Sequence, residues 1–377
     1  MSSENHATTS NRYTLRNLIT ELLHSLGNKK IIEECILYNC KVQEIMNRLK
    51  NEGYKEFFDS EECDNTAKCP QFMDTKCIEI VDLRKRLNKI IAMDTMFCSF
   101  ELVRSKNTEL YQSLFKQLNI HHPLFYAITL HTNDETESYI QYLDMFNEIP
   151  KNTLLHLRSN DLTRIDVLAI LKKALDHGVR NIFVLRGDSP NTNEEFPHAV
   201  DLVRFIRSQF GETFCICVAG YPEMHPESSS KEMDLFYLKE KVDAGADFII
   251  TQFFFEAHVF INFVNDCRKI GISVLIIPGI FPIFSYSCLE KLTQHCNVKV
   301  PQIILNALHS IEDNEDQVRD YGLELSIGII KTIVASRTTR GFHFFTLNKP
   351  SLSSEVCNKL GIFNTLLFND ERISTDE

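Results

Sequence analysis

TLLHLRSNDLTRIDVLAILKKALDHGVRNIFVLRG, residues 153–187, contains one complete strand–helix–strand unit. Two apolar runs, 153–158 and 181–187, flank a stretch over 163–177 whose apolar residues fall at helical spacing. Gly178 follows the last helical turn, where a residue without a Cβ adopts the left-handed conformation at no steric cost and stops the helix. The flanking runs are apolar on consecutive residues rather than on alternate ones. That suits parallel strands covered on both faces.

The unit repeats. Strand-like runs start at Phe97, Phe125, Thr153 and Asn181, 28 residues apart, and others start at Phe214, Phe248, Ser273 and Phe342. Helical stretches over 199–210, 231–244 and 257–270 end just before Gly211, Gly245 and Gly271. Eight strands alternating with helices predict an α/β fold, a (β/α)8 TIM barrel. An open doubly wound sheet is the alternative, but no G-x-G-x-x-G follows any early strand. The insert between the seventh and eighth strands predicts two extra helices, over 301–311 and 315–336. Residues 1–78 do not join the repeat. With helical patterns over 13–26 and 30–49, they are expected to form a small N-terminal appendage, followed by the barrel over 79–365 and a solvated tail over 366–377.

The composition narrows the function. A net charge of −11 on 377 residues argues against a nucleic-acid partner, since phosphate-backbone binders present basic stripes. The most apolar run, 274–284, is broken by Pro278 and Pro282 and is too short to span a bilayer. The first residues lack the apolar core of a signal peptide, and Glu4 argues against an Arg-rich transit peptide, so a cytoplasmic protein is expected. The 12 cysteines then read as reduced thiols, and the spacing of Cys63, Cys69 and Cys77 matches no zinc pattern, so no metal is expected.

In such barrels chemistry is done at the C-terminal ends of the strands. Glu101 lies there on the first strand, Thr129 and His131 on the second, and His156 and Arg158 on the third. Arg186 and Asp188 end the fourth, Tyr221 and His225 follow the fifth, and Gln252 lies on the sixth. His343, then Asn348 and Lys349, belong to the eighth. Each has a structural alternative: His156 as a satisfied core histidine, Asp188 as a cap, Arg186-Gly187-Asp188 as a salt-bridged turn or an adhesion tripeptide. Their convergence at one end of one barrel favours an active site.

The stretches ALDHGVRNIFVLRGD, AVDLVRFIRSQFG, CVAGYPEMHPE, DLFYLKEKVDAGADFIITQFFFE, IIPGIFPI and FHFFTLNK occur in that order. In them the chain resembles the 5,10-methylenetetrahydrofolate reductase family, from about residue 90 to 363. The resemblance implies a barrel that holds FAD and takes electrons from NADH or NADPH. It would reduce 5,10-methylenetetrahydrofolate to 5-methyltetrahydrofolate, a step of one-carbon metabolism, in two half-reactions.

By position, Glu101 matches the family's general acid and Asp188 the carboxylate beside the flavin. Thr129, His156, Arg186, Gly187, Asp188, Ala199, Tyr221, His225, Asp234 and Lys241 match cofactor-binding positions. Gln252, Phe345 and Lys349 match substrate-binding ones. The partners implied are a folate and a pyridine nucleotide, and a homo-oligomer is compatible with them.

The departures lie mainly in the first three strands: Leu102-Val103-Arg104 where the family has an aromatic and a Pro-Pro pair, Leu130 for an aromatic, and 157–160 for a small segment. His198, Phe345 and Lys349 replace Tyr, Tyr and Arg. A second reading therefore stays open, a divergent non-catalytic paralogue that keeps the barrel and binds flavin or folate. The resemblance covers the catalytic barrel alone, so inhibition by S-adenosylmethionine through the regulatory domain of animal and fungal members is not expected.

Overall fold

A computed structural model of the chain describes residues 83–104, 107–129, 146, 148–187 and 194–362. The appendage expected over 1–78, with Cys63, Cys69 and Cys77, the tail over 366–377, His131 and Asp188 lie outside the described residues.

Eight parallel strands form a closed barrel in sequence order. They are β1 (Phe97–Val103), β2 (Tyr126–Thr129), β3 (Thr153–Arg158), β4 (Asn181–Leu185), β5 (Cys215–Gly220), β6 (Phe248–Phe253), β7 (Leu275–Ile280) and β8 (Gly341–Phe344). Closure is made by β8 on β1, with Ser99 opposite His343 and Phe100 opposite Phe344. Each apolar run of the sequence became a strand of this (β/α)8 barrel.

The helices are α1 (Leu83–Ala92), α2 (Thr108–Leu118), α3 (Arg164–Asp176), α4 (Ala199–Phe210), α5 (Lys231–Asp243) and α6 (Ala257–Lys269). After β7 come α7 (Tyr286–Cys296), α8 (Gln302–His309) and α9 (Glu315–Ala335), and α10 (Ser351–Leu360) follows β8. Helix α3 starts at a capping box, in which Asp166 N donates to Thr163 Oγ1 at 3.2 Å and Thr163 N to Asp166 Oδ2 at 2.9 Å. It stops at Gly178, whose φ is +79°.

The two extra helices expected before β8 are α8 and α9. Four more, α1, α2, α7 and α10, are not among the helical stretches singled out in the sequence. Helix α7 buries only Leu289, and α10 buries Ser353 and Ser354 among its apolar residues, so neither carries a clean apolar stripe. Ser354 is tolerated there because it is partnered: His121 Nε2 lies 2.5 Å from its Oγ.

Alternate strand residues point to opposite faces. One set, with Phe97, Phe125, Leu154, Phe183, Cys217, Phe248, Ile250 and Ile277, fills the barrel. The other, including Phe100, Leu102, Leu155, Leu157, Val184, Ile216 and Ile249, packs under the helices. Each such side chain contributes roughly 1.5–3 kcal/mol by leaving water. Leu83, Leu87 and Ile90 of α1, one helical face, join the inner set and close the N-terminal end of the barrel.

Around that end, charges meet charges. Arg207 Nη2 lies 2.8 Å from Asp247 Oδ2, which also accepts from Ile216 N at 2.6 Å. Arg340 meets Asp94 at 2.9 Å and Arg84 meets Glu212 at 2.7 Å. Among the described residues no helix is long and apolar enough to cross a membrane.

Candidate active site

The inward set of β1 runs Phe97, Ser99, Glu101, from apolar to charged toward the C-terminal end. Glu101 is buried, with 6% of its surface exposed. Its Oε2 accepts from the backbone N–H groups of Thr346 and Leu347, at 3.3 and 3.4 Å. Its Oε1 lies 3.4 Å from the Thr129 hydroxyl, which donates to it. Burial pushes the Glu101 carboxyl above the ordinary carboxylate range, and these three donors pull it partly back.

Thr129 Oγ1 also lies 3.1 Å from His156 Nδ1. With the hydroxyl proton turned toward Glu101, the ring must carry its proton on Nδ1 and donate it to Thr129. The His156 ring stands edge-on to Phe183, with centroids 4.7 Å apart. Glu101, Thr129 and His156, named separately from three strands, thus form one hydrogen-bonded line.

A second group gathers at the ends of β4 and β5, against α4 and α5. Arg186, Ala199, Tyr221, His225, Asp234 and Lys241 all line one cavity of about 310 Å³. Lys241 donates to the Ala219 carbonyl at 2.8 Å, and burial lowers its ammonium to about 8 against the upward pull of Asp234. Asp234 accepts from Ser228 Oγ at 3.0 Å. The Tyr221 and His225 rings meet edge to face at 4.6 Å, and burial, with Arg186 nearby, lowers the imidazole's pKa.

Arg186 forks onto Glu227, with Nη2 to Oε1 at 2.6 Å and Nη1 to Oε2, and this holds the Glu227 carboxyl below its usual range. Glu227 was not among the residues expected at the site, although it stands in the HPE of the fifth-strand motif. Gly187 has φ +102°, and a Cβ there would lie 2.1 Å from Asn160 Oδ1, so no other residue fits that turn without displacing Asn160.

Gln252 is half-buried on β6, and its side-chain oxygen accepts from Phe253 N at 3.0 Å. The β6–β7 register shifts between Ile250 and Phe253. There Gly279 N donates to Thr251 Oγ1 at 3.1 Å, and Thr251 Oγ1 donates to the Gln252 carbonyl at 2.9 Å. A Cβ on Gly279 would lie 2.3 Å from the Thr251 carbonyl and 2.5 Å from the Phe345 ring.

Phe345 packs edge-on against Phe253 and His343, at 5.9 and 5.1 Å. His343 belongs to the filled interior rather than to the rim. It is fully buried, bonded through Nδ1 to Ser99 Oγ at 2.9 Å and stacked on Phe125, and burial holds its pKa at about 3. Lys349 is exposed, with its ammonium 4.9 Å over the Phe284 ring, and lines an open cleft with Lys291 and His295. Among the described residues no group of three or more His, Cys, Asp or Glu could hold a metal ion.

Residues 86–361 match the family model described as methylenetetrahydrofolate reductase. The chain is 36% identical over 285 residues to methylenetetrahydrofolate reductase (NADH) 1 of Zea mays, covering 70% of this chain and 48% of that protein. It is 32% identical over 288 residues to the 5,10-methylenetetrahydrofolate reductase of Buchnera aphidicola subsp. Schizaphis graminum, covering 74% and 96%. The chain thus spans about half the length of its plant relatives and nearly all of the bacterial one. Among solved structures, an uncharacterized protein from Clostridium thermocellum that binds two copies of 5-methyl-5,6,7,8-tetrahydrofolic acid matches with a TM-score of 0.54. At 13% identity over 72% of this chain and 96% of that one, it shares the fold.

Proposed function

The chain belongs to the methylenetetrahydrofolate reductase family, and from that premise we propose that its barrel reduces 5,10-methylenetetrahydrofolate to 5-methyltetrahydrofolate. A pyridine nucleotide would serve as reductant and FAD as resident cofactor. FAD, when bound, would supply the hydride carrier between the two substrates, in two successive half-reactions at one site.

The cavity at β4 and β5 fits that cofactor. Arg186 and Lys241 are cations suited to a pyrophosphate, and the Asp234 carboxylate is an acceptor suited to sugar hydroxyls. Gly187 keeps a side chain out of the turn beside them. Ala199, Tyr221 and His225 complete the wall, with Thr129 and His156 on the neighbouring strands. Asp188 would place a negative charge beside the flavin ring.

Glu101 is the proton donor in this reading. Its buried carboxyl holds a proton to higher pH than an exposed one and can give it to a nitrogen of the methylene bridge as that bridge opens. Gln252 would hydrogen-bond the pterin, with Phe345 and Lys349 along the rest of the folate. The observation that carries the proposal is the Glu101 carboxyl itself, interior, charge-capable and aimed by Thr129 and two backbone N–H groups.

The test is a visible spectrum of the purified protein, followed by anaerobic NADH or NADPH and then methylenetetrahydrofolate. Bound flavin that bleaches with the nucleotide and is reoxidised by the folate supports the enzyme. A colourless protein that takes up no FAD overturns it, and flavin that never exchanges electrons with the folate supports the non-catalytic paralogue.

A further inference from the structure

Glu101 owes its two backbone donors to a loop that is locked from outside the carboxylate. After β8 the chain turns through Leu347 at φ +47° and Asn348 at φ +59°, two successive non-glycine residues in the left-handed region. Such a turn is costly for a γ-branched residue like Leu347, and something must hold it. Its effect is to swing the N–H groups of Thr346 and Leu347 inward, onto Glu101 Oε2.

What holds it is the Asn348 side chain. Its Oδ1 accepts from Val103 N at 2.9 Å and its Nδ2 donates to the Val103 carbonyl at 2.7 Å. The carboxamide thus grips both backbone groups of one residue of β1, as a neighbouring strand would, two positions beyond Glu101. Thr346 adds a third tie, donating its hydroxyl to the Glu101 carbonyl at 2.6 Å, while Asn348 N donates to that same hydroxyl at 3.2 Å.

We propose that Asn348 is a positioning residue for the proton donor: its grip on Val103 sets the loop that presents the Thr346 and Leu347 N–H groups to Glu101, and so fixes the carboxyl's place and its acidity. The inference rests on the reading of Glu101 as proton donor. Besides those N–H groups and Thr129, the titratable groups on neighbouring inward positions are His156 on β3, which shares Thr129, and His343 on β8, opposite Ser99; Tyr111 on α2 feels the charges of Glu101, Arg104 and Glu148. Changing Asn348 to glycine adds and removes no charge among them, so a pH effect of the change reports on the loop.

The variant Asn348→Gly keeps the left-handed backbone and deletes the grip. Its flavin content and its reduction by pyridine nucleotide should stay within about twofold of the parent. Reoxidation by methylenetetrahydrofolate should slow by about 10- to 100-fold, through kcat more than KM. Backbone donors favour the ionised carboxylate, so their loss raises the Glu101 pKa and should move the alkaline limb of that half-reaction to higher pH.

Asn348→Ser stays neutral but is too short to grip both backbone groups of Val103. It should shift the limb the same way, and it carries the test if the glycine variant yields no flavin-loaded protein. Equal losses in both half-reactions, or an unmoved alkaline limb, would overturn the inference. If Glu101→Gln is inactive with folate while Asn348→Gly behaves as the parent, this inference fails alone. If Glu101→Gln still turns over folate, the proton-donor reading fails first.

Discussion

The two ends of the barrel differ in how they hold their buried charges. At the N-terminal end Arg207 meets Asp247, Arg340 meets Asp94 and Arg84 meets Glu212. At the C-terminal end Arg186 is likewise paired, with Glu227, but Glu101 is held by backbone N–H groups and a hydroxyl, and Lys241 by a backbone carbonyl. A charge paired with its opposite has its field cancelled nearby and serves the fold. A charge held by neutral dipoles stays visible to a ligand, and burial can move its pKa. Both Glu101 and Lys241 are moved, the first up and the second down to about 8.

The strongest test of that contrast is Glu101→Gln. Folate-driven reoxidation should fall by about 10²–10⁴-fold in stopped flow, with flavin reduction intact. The same variant should gain stability. A raised pKa means that the folded state holds a proton the unfolded chain has released. The carboxyl's contribution is therefore intact below the ordinary carboxyl value and is lost as pH rises toward the folded one. Melting curves across pH should show the variant above the parent at neutral pH and the gap closing under acid. A variant with no such advantage would mean that Glu101 is not held against its charge.

At the opposite end, Arg207→Met leaves the half-buried Asp247 with Ile216 N and the more distant Arg84 and should cost about 2 to 3 kcal/mol in a urea titration, with flavin affinity unchanged. Altered flavin binding there would erase the division between the two ends. Next in size, Lys241→Met should weaken FAD binding by about 10- to 100-fold in a fluorescence titration, with the urea midpoint preserved.

The effect that is smallest at neutral pH, because it appears only under acid, belongs to His343, between the two ends. Its pKa falls from its ordinary value near 6.5 to about 3 on folding. Stability is complete above the first value and drains as pH falls toward the second, by up to about 1.4 kcal/mol per pH unit. His343→Phe should flatten the acid limb of the stability curve, and an unchanged limb would place the ring elsewhere than in the dry interior.

The strands were legible because each is apolar on consecutive residues, and the helices over 163–177, 199–210, 231–244 and 257–270 because each runs into a glycine. Inward alternation then put Glu101, Thr129 and His156 at one end of one wall. Other partnerships were not legible. Arg186 finds Glu227 across 41 residues and Asn348 finds Val103 across 245, and both pairings exist only once the barrel has closed. Helix α10 stayed hidden because two serines occupy its buried face.

Gly279 touches no proposed reacting group, yet it lies where β6 and β7 come closest, with the Thr251 carbonyl on one side and Phe345 on the other. Any missense change at that codon sets a Cβ against the backbone of β6 as well as the Phe345 ring, so the strand itself must shift, and with it Gln252 and Phe345, the two residues proposed to face the folate. In a population, such an allele would couple two losses, of barrel stability and of the proposed substrate wall, through a residue that has no side chain of its own.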